Sequence, residues 1–162
     1  NLLSDPHLAK VQRVIHLDLH TGLGRYGHYQ LLLEESPSTT AFEFFTRVFG
    51  AEAVKSDHAS SATHYSAHGI LSTLTSQAFP NAFTLAATLE IGTLKPSAIL
   101  RILRAENRVH HYGACRSADA IRIRANLCDA LAPCDPLWRA AVIADGRRVF
   151  TQLRGMLLEK DI

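Results

Sequence analysis

The sequence has no CxxC pair: its three cysteines, Cys115, Cys128 and Cys134, are odd in number and scattered. That excludes a disulfide framework or a zinc knuckle and suggests buried free thiols in a reducing, cytoplasmic compartment. No apolar run approaches the ~20 residues that a membrane helix needs, and the residues from Asn1 do not read as a secretory leader. A membrane is therefore not an expected partner. Nor is there a basic block interleaved with aromatics. The 17 basic and 15 acidic residues are spread along the chain for a net charge of +2, so nucleic acid is not expected as a partner either. Repeats, low-complexity tracts and linkers are also missing. What remains is globular composition, 47% hydrophobic and 20% charged over 162 residues, enough to bury a core in one α/β domain or part of one.

The pattern of elements alternates. Val11–His20 is rich in β-branched and apolar residues and stops at Thr21-Gly22, which predicts a strand followed by a glycine-rich loop. Gly27–Glu35 predicts a second strand. Thr39 or Thr40 can cap a helix over Ala41–Phe49, where Phe42, Phe45 and Phe49 fall on one face and Gly50 ends it. Lys55–His68 is polar and aperiodic and reads as a loop or lid. Gly69–Phe79 reads as a short helix. Ala82–Ile91 is almost continuously apolar, as in strands buried on both faces. Helices follow from Pro96 to His111, over Ser117–Leu131, and over Pro136–Leu158 with a break at Asp145-Gly146.

Two positions carry chemistry. Alternation along the first strand puts Val14, His16, Asp18 and His20 on one face, with His20 at the C-terminal end, where open α/β sheets present their functional groups. A mobile TGLGRYG loop would leave room above this imidazole. The bland alternative is a strand-end histidine bonded to its loop. Glu90 closes an apolar strand, where a carboxylate is costly unless it is paired or its pKa is raised, and a raised pKa suits a general base. It could equally be a solvent-facing strand end. Taken together, an imidazole and a carboxylate at one sheet edge are the parts of metal-assisted hydrolysis.

The run from His16 to Gly27, HLDLHTGLGRYG, resembles the DLHTGLG signature of a bacterial branch of the zinc carboxypeptidase superfamily, related to the succinylglutamate desuccinylase and aspartoacylase group. Leu89-Glu90-Ile91-Gly92-Thr93 and Leu103-Arg104-Ala105-Glu106-Asn107 resemble a second segment of that branch, and Trp138 a third. The resemblance implies a three-layer α/β/α fold with a mixed, mostly parallel sheet. It makes His20 a zinc ligand, Glu90 the catalytic glutamate, Asp18 an acid that orients the site, and Tyr65 a substrate-contacting tyrosine. The implied cofactor is zinc. The implied reaction is cleavage of an amide next to a carboxylate-bearing residue in a small peptide or acyl-amino acid.

The superfamily's other two ligands, spaced HxxE, precede the DLH strand, and no HxxE occurs in this sequence. The expectation is that residues 1–162 are the C-terminal portion of one such domain, inactive without the N-terminal portion of the same enzyme. His16 on the same strand, and His64 with His68, are weaker ligand candidates. The reading from another class is a non-catalytic remnant that binds or assembles, its exposed apolar face promoting homo-oligomers. If Glu90 serves a water on zinc held by His20, the two side chains should lie roughly 5–9 Å apart, from ~2 Å metal bonds and a hydrogen bond of ~2.8 Å.

Overall fold

The computed structural model describes residues 10–34, 38–56 and 71–158. They form an α/β protein with four strands and five helices. In chain order these are β1 (Arg13–Tyr26), β2 (Tyr29–Leu33), α1 (Thr40–Phe49), β3 (Val54–Ser56), α2 (Leu71–Ala78), β4 (Phe83–Gly92), α3 (Pro96–Tyr112), α4 (Ala118–Leu131) and α5 (Pro136–Leu158). The strands make one sheet in the order β1-β4-β2-β3. Phe83 N donates to Gln12 O at 2.8 Å and Thr93 N to Gly22 O at 3.4 Å, the same spacing along both strands, so β1 and β4 run in one direction. Gly27 N donates to Gly92 O and Gly92 N to His28 O, which sets the start of β2 against the end of β4 and makes that pair antiparallel. β2 and β3 are parallel, with Leu31 opposite Val54. The sheet is therefore mixed, and the three strands expected from the sequence are all in it.

The chain divides into two compact units. The first comprises residues 1–19, 30–89 and 146–162. Its core includes Leu31, Leu33, Phe45, Leu85, Leu89 and Val149, all essentially inaccessible to solvent. α1 begins where the Thr39 side chain accepts from Phe42 N at 3.3 Å, and it ends at Gly50, whose φ of 86° few other residues adopt. Its buried face carries Phe44 beside Phe45, and the Phe45 and Phe49 rings stack at 5.9 Å. β3 lies where the sequence reads as a loop; the rest of that polar stretch, residues 57–68, lies outside the described residues.

The second unit comprises residues 20–29 and 90–145. α3 packs along α4, and the Arg124 Nε–Glu106 Oε1 pair at 3.5 Å joins them. α4 starts at Ser117, whose hydroxyl accepts from Ala120 N at 3.2 Å. Asp135 accepts from Leu137 N at 2.9 Å at the start of α5, with Pro136 as its first residue.

Three expectations need correction. α5 runs unbroken through Asp145-Gly146: a helical glycine costs only about 1 kcal/mol, which the burial of Val149, Leu153 and Met156 beyond it outweighs. The cysteines are not buried: Cys115, Cys128 and Cys134 are all exposed, and Cys134 Sγ accepts from Arg139 Nη2 at 3.4 Å. The TGLGRYG segment is not a loop, since β1 continues through it to Tyr26. Among the described residues no helix is long and apolar enough to cross a membrane.

Candidate active site

The end of β1 explains how the second unit holds a carboxylate. Gly22 and Gly24 have φ of 144° and 108°, conformations closed to most side chains, and they let the strand bend without breaking. Between the two glycines, Leu23 N–H donates to Glu90 Oε1 at 2.7 Å. Glu90 is only 4% exposed at the end of β4. Burying a carboxylate is costly without partners, and this charge-assisted bond supplies one. Its other oxygen, Oε2, lies 3.8 Å from His20 Nδ1, an ion-pair distance that is longer than a hydrogen bond. The His20 side chain is 53% exposed and that of Glu90 only 6%. One oxygen is thus fixed by the backbone, while the other faces an imidazole that reaches solvent.

At 3.8 Å the two side chains are closer than the expected 5–9 Å. The glycine segment that was expected to swing clear of the imidazole is instead bonded over the carboxylate. Strand pairing is the reason: Gly22 O accepts from Thr93 N and from Thr93 Oγ1 at 3.3 Å, and Gly27 N is tied to Gly92 O. A Cβ built on Gly92 would overlap the backbone of Arg25 and Gly24, so the segments are packed main chain to main chain.

Further side chains pin this arrangement within the same unit. Trp138, 6% exposed on α5, donates Nε1–H to Gly92 O at 2.9 Å, so the end of β4 carries a bonded indole two residues from Glu90. Thr21 Oγ1 donates to Leu131 O at 2.6 Å, and Tyr26 O–H to Asp135 Oδ2 at 2.9 Å. The Tyr26 hydroxyl is pushed above its ordinary range by partial burial of the ring and by the Asp135 carboxylate beside it. Asp135 is held below the usual carboxylate range by the Leu137 N–H and then by the Tyr26 hydroxyl.

Of the other sequence candidates, Asp18 is half-buried on β1 and belongs to the first unit. His16 is in that unit too, its Nδ1 2.8 Å from Thr75 Oγ1. The same threonine hydroxyl lies 3.0 Å from Leu71 O. Tyr65, His64 and His68 lie outside the described residues. Sequence reasoning missed the Leu23 amide, Thr93 and the role of Trp138. The available signals were two glycines flanking Leu23 and a lone tryptophan, neither of which identifies its partner.

A catalytic zinc takes three protein ligands and a water. Among the described residues no three His, Cys, Asp or Glu side chains are grouped so as to share a metal ion, so these residues alone do not compose such a centre. They contribute one imidazole and one carboxylate, the pairing that acid–base and metal-assisted chemistry both use.

Fold and site together define an α/β protein with a buried, backbone-held glutamate near the end of β4 facing a histidine within β1. The profile of a family described as protein of unknown function DUF2817 matches residues 3–145, and the chain belongs to that family. No curated protein and no solved structure matches it.

Proposed function

We propose that this chain carries the histidine–glutamate half of a cytoplasmic zinc-dependent hydrolase of the carboxypeptidase and deacylase type. Its substrate would be a small peptide or acyl-amino acid, cleaved at an amide next to a carboxylate. The observation that supports this reading is the contact of Glu90 Oε2 with His20 Nδ1 at 3.8 Å, with Glu90 Oε1 held by Leu23 N–H. The DLHTGLG resemblance makes His20 the ligand, and the resemblance of Leu89-Glu90-Ile91-Gly92-Thr93 to a second segment makes Glu90 the base.

In this reading His20 is one metal ligand, and the remaining ligands come from a segment preceding this one in the same polypeptide. Bound zinc would supply Lewis acidity toward the scissile carbonyl and its water. The chain's own part is proton transfer. As the base, Glu90 Oε2 takes a proton from the attacking water and returns it to the departing amine. Leu23 N–H keeps Oε1 occupied, so the proton goes to the oxygen that faces the reaction. Tyr65 would contact the substrate.

The test is hydrolysis of a panel of N-acyl amino acids and C-terminal dipeptides by the encoded protein, before and after chelation and zinc re-addition. Zinc-restored release of a free amino acid is the expected result. No turnover on any panel member in zinc-loaded protein would overturn the proposal and favour a binding or assembly role, including self-association.

A further inference from the structure

Thr93 is 3% exposed and three residues beyond Glu90, and both of its donors go to one acceptor. Its N–H and its hydroxyl reach Gly22 O, at 3.4 and 3.3 Å. That carbonyl belongs to the peptide unit whose N–H end is Leu23 N, bonded to Glu90 Oε1 at 2.7 Å. A single planar peptide thus has its oxygen held by Thr93 and its hydrogen aimed at Glu90. Because a peptide is rigid, fixing one end fixes the direction of the other.

The need for such a lock follows from the residues on either side. Gly22 at φ 144° and Gly24 at φ 108° lack the Cβ that would otherwise restrict rotation of the planes around Leu23. The two bonds from Thr93 are longer than usual and individually weak, but they converge on one oxygen, and the residue that makes them is only 3% exposed.

We infer that Thr93 is a positioning residue for Glu90, acting through the Gly22–Leu23 peptide. The inference builds on Glu90 as the base of the proposed hydrolase. Thr93 touches neither the carboxylate nor, in this arrangement, a substrate. It sets the orientation of the amide that keeps Oε1 occupied and Oε2 turned toward His20. The spacing Glu-Ile-Gly-Thr is then a functional unit: the base, a glycine that admits the neighbouring strand, and the residue that closes the loop back onto the base.

The experiment compares Thr93→Val, which removes the hydroxyl at nearly constant volume, with Thr93→Ser, which keeps it. Amide exchange and proton shifts of Leu23 are read by NMR, with the Gly27 amide, bonded to Gly92 O, as the internal reference. Thr93→Val is expected to speed Leu23 exchange by about tenfold and move its shift toward that found in Glu90→Ala, while Thr93→Ser and the Gly27 amide stay within about twofold of wild type. An unchanged Leu23 amide in Thr93→Val would overturn the inference. So would parallel acceleration at Gly27, because a purely structural role loosens the whole strand end. The readout requires neither zinc nor turnover, so it judges Thr93 even if the hydrolase reading fails. With an active panel substrate, Thr93→Val should lower kcat and leave KM unchanged.

Discussion

Glu90→Gln is expected to lower turnover on a panel substrate by roughly 10²–10⁴-fold, the usual contribution of a general base. The substitution is conservative in the respects that matter for folding. Glutamine has the same shape, and its carbonyl oxygen can still accept from Leu23 N–H, so the buried position keeps its partner. What changes is the atom facing His20: an oxygen that can take a proton becomes an NH₂ that cannot. KM should therefore stay near wild type while kcat falls. Matched progress curves and thermal melts separate this outcome from simple unfolding. A variant that melts like wild type and turns over at the wild-type rate would remove Glu90 from the chemistry.

Gly92→Ala is expected to cost about 3 kcal/mol of stability, the upper end of overpacking penalties. The new Cβ would overlap the backbone of Arg25 and Gly24, and backbone held in a sheet cannot rotate out of the way as a flexible side chain can. Relief requires parting the strands that carry Glu90 and Leu23, so the site should loosen with the fold. The Trp138 Nε1–H bond to Gly92 O would be displaced at the same time. Urea unfolding read by the fluorescence of Trp138, the sole tryptophan, reports both effects. A variant with an unchanged midpoint would show that the two strands have slack, contrary to the contacts described.

Features with local causes were legible in the sequence. The apolar run before Glu90 identified β4, because a strand lined by apolar neighbours needs apolar residues on both faces. Thr39, Gly50 and Ser117 marked helix ends, because capping is settled within a few residues. His20 and Glu90 could be singled out as chemically expensive groups in apolar strands, but the expected strand end at His20 is wrong, because β1 runs on to Tyr26. β3 could not be seen: three residues are too few to display a period, and Val54 is a strand residue only because Leu31 lies opposite. The continuation of β1 through TGLGRYG was hidden for a similar reason. Glycines usually signal a loop, and here they signal a bend that pairing with β4 keeps extended. Thr93 and Trp138 owe their roles to Gly22 and Gly92, partners 71 and 46 residues away, which no local pattern can reveal. The exposed cysteines show the same limit, since composition gives a residue's average environment and not whether it falls in a connection, as Cys115 and Cys134 do, or on an open helix face, as Cys128 does.

The central claim is that His20 and Glu90 belong to one metal-hydrolase centre. Elemental analysis and zinc titration of the encoded protein, wild type beside His20→Ala and Glu90→Gln, test it most directly. His20→Ala is expected to weaken zinc binding by on the order of 100-fold or more, at least as much as losing an outer partner of a ligand costs, while Glu90→Gln retains zinc. Zinc binding of equal strength in wild type and His20→Ala would contradict it.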